Sequence, residues 1–166
     1  NVTTMGSQTY QIAGLVVDVD TTLKSFNSPI SIHGNVDSPN TGTSPQQPHR
    51  LTVDAGNSTA SFYGDIGYHF PLQALTVSAL GGIKNGSSAG PSATSSTLNS
   101  PLGVTTVGAQ SYTGALTLNA DTRLSTSNSP ISFSDSIDSY TSGDPRSLSV
   151  NAGTSTVRFG GSIGAV

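Results

Sequence analysis

The chain contains no cysteine and no glutamate, and only 9% of its 166 residues are charged. Without cysteine there is neither a disulfide framework nor a thiolate metal site. A long stacked core needs neither, so the absence is compatible with export. The formal net charge is -3 and the six basic residues are scattered singly. Nothing traces a phosphate backbone, which argues against nucleic-acid binding. No apolar run approaches the roughly 20 residues of a membrane-spanning helix. Good helix formers are scarce, which argues against helices. No leader segment is evident either: Asn1 opens directly into repeat sequence, so we expect an excerpt or a processed piece of something longer.

Catalytic and metal signatures are missing as well. His33, His49 and His69 lie far apart, with no H-x-x-x-H or H-E-x-x-H spacing. No G-x-S-x-G elbow occurs, and the Ca2+-binding nonapeptide of RTX repeats is absent. The expectation is a chain that is not an enzyme and that carries no cofactor.

What is present is Ser and Thr, together roughly 30% of residues, with abundant Gly and regularly placed Leu, Val, Ile and Phe. That regular placement separates the chain from a disordered polar one. Above all the sequence repeats. Val2–Ser38 (VTTMGSQTYQIAGLVVDVDTTLKSFNSPISIHGNVDS) matches Val104–Ser139 (VTTVGAQSYTGALTLNADTRLSTSNSPISFSDSIDS). The offset is 102 at the start and 101 from Asp20 and Asp121 onward. It resumes at 97 with Leu51–Gly56 against Leu148–Gly153, then Phe62–Gly67 against Phe159–Gly164. The division is therefore a first unit over 1–103 and a second, incomplete one over 104–166. Residues 38–50 (SPNTGTSPQQPHR) form a Pro-rich surface loop, shorter in the second copy, and 81–103 is a low-complexity stretch.

A smaller motif recurs inside the long one. Leu-x-[Val/Leu]-x-[Ala/Val] begins at Leu15, Leu51, Leu75, Leu116 and Leu148. Four of these precede a second half beginning at Ile32, Phe62, Phe133 or Phe159. Alternation over Leu15, Val17 and Val19 predicts a half-buried strand. Tandem immunoglobulin-like β-sandwiches also give a repeat near 100 residues, but their strands have distinct roles and no reason to reuse one motif. A right-handed parallel β-helix (β-solenoid) predicts reuse, because equivalent positions stack on themselves. We expect an all-β chain of this second kind, with Val104–Ser139 forming one or two coils. Each open end of such a stack is an unpaired edge, so neighbouring repeats or like chains are expected to meet it end to end.

Few side chains suggest a site. Asp18 and Asp20 lie on one face of a strand and are the best-placed carboxylate pair for a metal, against a plainer role as solvated or turn-opening residues. Tyr63, Tyr68 and Phe70 cluster in the first copy without twins and are candidates for a binding patch, for instance for host or matrix glycans. Tyr10 and Tyr112, like Phe62 and Phe159, hold equivalent places and suit core or coil-edge packing. Asn57-Ser58-Thr59 fits the N-glycosylation pattern.

The phrases VTTVGAQSYTGALTLNADTRL, SLSVNAGTSTVRFGGSIG and PLQALTVSA resemble the repeats of filamentous-haemagglutinin-like exoproteins, large bacterial adhesins of two-partner secretion. The resemblance covers most of the chain except about 38–50 and 85–103. It implies a right-handed β-helix shaft, export through an outer-membrane partner, location at the bacterial cell surface or in the extracellular matrix, and a part in adhesion or biofilm assembly.

Overall fold

Short apolar alternations broken by Gly, Asn and Ser dictate short strands with a turn every few residues. The structure, a computed structural model, describes residues 1–11, 13–42, 47–86, 102–141 and 143–164. These contain strands and turns and no helix. The first turn of the chain is β1 (Val2–Thr4), β2 (Gln8–Tyr10) and β3 (Gly14–Val16). The second is β4 (Thr21–Ser25), β5 (Ile30–Ile32) and β6 (Asn35–Asp37). The third is β7 (Arg50–Gly56), β8 (Ala60–Phe62) and, in place of a strand, the bridging residue Ile66. The fourth is β9 (Ala74–Ala79), β10 (Ile83–Asn85) and β11 (Leu102–Thr106). The fifth is β12 (Gln110–Thr113), β13 (Leu116–Leu118) and β14 (Thr122–Thr126), and the sixth β15 (Ile131–Phe133), β16 (Ile137–Ser139) and β17 (Leu148–Asn151). β18 (Val157–Phe159) and the bridging Ile163 open a further turn.

Every strand pairing is parallel. Seven strands stack as a first wall (β1-β4-β7-β9-β12-β15-β18) and six as a second (β2-β5-β8-β10-β13-β16). A third wall runs from β3 and β6 through Ile66 to β11, β14 and β17. The fold is thus a three-walled β-solenoid of about six turns. Tandem immunoglobulin-like sandwiches are excluded, because their hairpins and Greek keys require antiparallel pairs. The ladder also runs into the second copy without a break: β9 pairs β12, β10 pairs β13, and Ile66 bridges Val104.

The core is a set of columns down the axis. The first wall contributes Leu23, Val53, Val77, Tyr112 and Phe133 in register. The second contributes Ile30, Ala60, Ile83, Leu116 and Ile137, and the third Val36, Ile66, Val104 and Leu124. All of these are buried. One coil alone has nothing to pack on; stacking supplies roughly 25 cal/mol per Å2 of apolar surface on both sides of each coil. Val19 corrects an expectation. β3 ends at Val16 and the Val17 N–H donates to the Asp37 carbonyl at 2.9 Å. The chain then turns a corner that leaves Val19 facing solvent.

The two copies occupy different walls. β1 lies in the first wall, but its twin β11 lies in the third; β2 lies in the second and its twin β12 in the first. From β1 to β11 the chain advances eleven wall positions, Ile66 included: three full turns and two walls over. The two extra walls are β9 and β10. The Pro-rich loop therefore joins the third wall to the first, between β6 and β7, while its shorter counterpart joins the second to the third, between β16 and β17. Residues 43–46 of that loop and 87–101 of the low-complexity stretch lie outside the described residues.

Candidate functional site

The carboxylates are best understood from the corners. An Asp or Asn side chain reaches about one coil spacing, roughly 4.8 Å, and meets a backbone N–H of the next coil. Asp20 accepts from the Arg50 N–H and its twin Asp121 from the Ser147 N–H, both at 2.9 Å. Asn35 accepts from Asp65 at 3.0 Å, and Asp65 in turn accepts from Gly103 at 2.7 Å. Asp37 accepts from His69 at 3.0 Å and Phe70 at 3.2 Å. Each such bond is a rung between successive coils. A Glu carries one methylene more than this spacing calls for, which favours Asp at these corners.

The same rungs fix the backbone. Asn27 and Asn128 have positive φ, 58° in each, and accept from the Asn57 and Thr154 N–H at 2.9 and 3.0 Å. Above them sit Gly56 and Gly153, also left-handed at φ 59° and 63°. A Cβ on Gly56 would lie 2.6 Å from Asn27 Oδ1, and one on Gly153 would collide with Asn128 Oδ1. The glycine closing LTVDAG and LSVNAG is thereby explained.

Asp20 is thus a loop-end cap, with His49 Nδ1 3.6 Å from its carboxylate. Asp18 is exposed and takes no part in the rungs described. No cluster of three or more metal-ligating side chains occurs among the described residues. The backbone N–H and the hydroxyl of Ser147 hold the Asp121 carboxyl below its ordinary range. The Lys24 ammonium, 2.6 Å from Asp54, does the same for that group.

The aromatic candidates separate. Tyr63 lies at the corner after the second wall, its ring stacked on His33 at 4.3 Å and 11°. Tyr68 and Phe70 lie at the corner after the third wall. Tyr68 is exposed, edge-on to His69 at 4.8 Å, and His69 Nδ1 is 3.4 Å from Asp37. Phe70 is half-buried in a cleft of about 290 Å3 with Ser38, Pro48, Pro71, Gln73 and Val107. So Tyr68 and Phe70 share one corner and Tyr63 another.

Two polar features in and beside the core are only faintly marked in the sequence. Tyr10 and Tyr112 donate to the Oε1 of Gln8 and Gln110 at 2.8 and 3.0 Å. Gln8 Nε2 donates to the Lys24 carbonyl at 2.6 Å, and Gln110 Nε2 to the Ser125 carbonyl at 2.9 Å. Burial pushes both phenols above their ordinary range, Tyr112 the further. The repeated Thr-x-x-x-Gln-x-Tyr spacing is the one hint of this lock in the sequence. The second feature is Asn85, buried in the second wall between Phe62 and Leu118. Its Nδ2 donates to Thr122 Oγ1 at 2.7 Å, while its Oδ1 and the amide of Asn119 have no hydrogen-bond partner among the described residues.

Compared with protein-family models, with curated proteins and with solved structures, the chain finds no match, and the functional reading rests on the geometry and the repeat.

Proposed function

We propose that the chain is a rigid shaft segment of a secreted bacterial surface adhesin or extracellular filament, serving cell adhesion or matrix assembly. One observation carries this reading: Asp20, Asn35, Asp65 and Asp121 are spent as rungs holding coil to coil. Six turns at about 4.8 Å each give a rod of roughly 30 Å, and added repeats lengthen it without new design. The resemblance to filamentous-haemagglutinin-like repeats supports the same reading and suggests export by two-partner secretion. Neighbouring repeats or like chains are the partners it calls for.

The test is segment exchange in the surface protein that carries it. Replacement by an unrelated solenoid of equal turn number is expected to preserve attachment of cells. Replacement by a Gly/Ser chain of equal residue number is expected to abolish it. Loss of attachment with the unrelated solenoid would mean that this surface binds a ligand itself. Exposed Tyr68, beside the Phe70 cleft, is where a glycan-binding alternative would start; glycan-array binding lost on Tyr68→Ala would favour it.

A further inference from the structure

The third wall is interrupted in turn three. Ile66 bridges Val104 and Leu72 bridges Thr106. The bridged residues are six positions apart on one path and two on the other, so the chain makes an excursion of four extra residues here. Gly67 begins it: its φ is 70°, and a Cβ there would collide with the Thr105 carbonyl. Tyr68, His69 and Phe70 lie on the excursion, beside the loop that leaves β6. A plain spacer gains nothing from losing a strand in this way. Irregularities of this kind in a sheet serve to re-aim side chains, and they collect beside sites.

The excursion and the loop border the cleft of about 290 Å3. Its walls are pinned. The Ser38 N–H donates to the Phe70 carbonyl and the Gln73 N–H to the His49 carbonyl, both at 2.9 Å. Phe70, Pro48, Pro71 and Val107 make the lining mainly apolar, and Ser38 and Gln73 supply its polar groups. Ser38 is 3% exposed. Its Oγ accepts from the His49 N–H at 3.2 Å, but its hydroxyl proton has no acceptor among the described residues. The Gln73 side-chain amide likewise bonds no described residue. A buried, unspent donor beside a free amide in an apolar cleft is a site that lacks its ligand.

We propose that this cleft binds the acetamido group of an N-acetylhexosamine residue in a polysaccharide. The acetamido methyl meets Phe70 and Val107, its carbonyl accepts from the Ser38 hydroxyl, and its N–H donates to Gln73 Oε1. A plain hexose fits less well, because hydroxyls set against these apolar walls lose water without gaining partners. The volume lies at the small end for ligand pockets and suits one sugar residue, not a chain. Exposed Tyr68, at the same corner, offers a ring face for the neighbouring sugar. The inference goes beyond the shaft reading. One such subsite is too weak to hold a cell, so the segment exchange described above keeps its expected outcome; the cleft instead retains polysaccharide along the rod.

The test is titration of the full chain, followed by amide NMR, with di-N-acetylchitobiose and with cellobiose. Cellobiose differs from the first only in carrying hydroxyls in place of the acetamido groups. Di-N-acetylchitobiose is expected to bind with a Kd in the millimolar range and to shift the Gln73 side-chain amide and the Phe70 backbone amide; cellobiose is expected to bind at least about tenfold more weakly. Gln73→Leu and Phe70→Ala, with their folds checked by far-UV circular dichroism, should each weaken binding by about tenfold or more. Tyr63→Ala, at the other corner, should leave it unchanged. Absence of shifts at high ligand concentration, equal binding of cellobiose, or unchanged binding in both cleft variants overturns the proposal. Tighter binding of a peptide carrying Nε-acetyl-lysine also overturns it, since the cleft then serves a protein partner. The titration uses the isolated chain and the segment exchange reads attachment of cells, so either can fail alone.

Discussion

The aromatic column gives the sharpest quantitative test of the stack. Phe133 is 3% exposed and lies between Tyr112 and Phe159, with interplanar angles of 10° and 2°. Truncating a fully buried Phe costs about 3–5 kcal/mol, and two stacked faces place this one in the upper part of that range. We expect about 4–5 kcal/mol for Phe133→Ala. Phe159 belongs to the same column but has a single stacked face and is half open to solvent, so Phe159→Ala is expected to cost about 1–2 kcal/mol. The measurement is urea unfolding followed by far-UV circular dichroism. Protein should be dilute, so that end-to-end contacts do not cover Phe159. A chain of this size shifts its Tm by about 2–4 °C per kcal/mol, so the two variants should also differ by several degrees. Costs equal to within about 1 kcal/mol would refute the reasoning, since coverage by neighbouring coils would then not set the energy.

Three further outcomes are expected. Gly56→Ala and Gly153→Ala should each cost about 2–3 kcal/mol, from the left-handed backbone and the displaced Asn rung, while Gly6→Ala, with open space around it, should be near neutral by the same urea assay. Asn85→Leu should raise stability by about 1 kcal/mol, because it removes an unmet buried carbonyl and leaves Thr122 bonded to the Ala120 carbonyl; a loss above about 1 kcal/mol would show that the Asn85–Thr122 bond outweighs the orphan. The carboxyls of Asp54 and Asp121 are held below their ordinary range, so their contribution to stability is present above about pH 4 and is lost as pH falls through their folded values. Asp121→Asn keeps the acceptor oxygen and should flatten the acid side of a Tm–pH curve; an unchanged curve would count against the rung.

The solenoid was legible because a motif reused within the unit is what stacking demands. Val104–Ser139, expected to form one or two coils, spans the six strands β11 to β16, which make two turns. Tyr112 and Phe62 are core residues, as equivalent places in a repeat suggest. What the sequence hid is of two physical kinds. Period-2 alternation says which side chains point inward but not which wall they line, since that depends on how far each corner turns the backbone. The Leu-x-Val motif accordingly serves the third wall at Leu15, the first at Leu51 and the second at Leu116. The rungs were hidden because their donors are backbone N–H groups. Asp20 finds its partner 30 residues away at Arg50, and no side-chain pattern marks that position. Val19 misled because alternation continued in the sequence past the point where the strand ended.

The repeat length has one more effect. A duplication of whole turns would set every copy facing the same way. This one adds two walls to three turns, so each added copy is turned two-thirds of a revolution relative to the last. The corner after β6, where the Pro-rich loop begins, and the corner after β16, where its counterpart begins, consequently lie on different sides of the shaft. In an array of such units, equivalent loops would wind around the rod like steps on a spiral stair and realign every third copy. Gaining or losing one unit by recombination would then change the heading of everything beyond it as well as the reach.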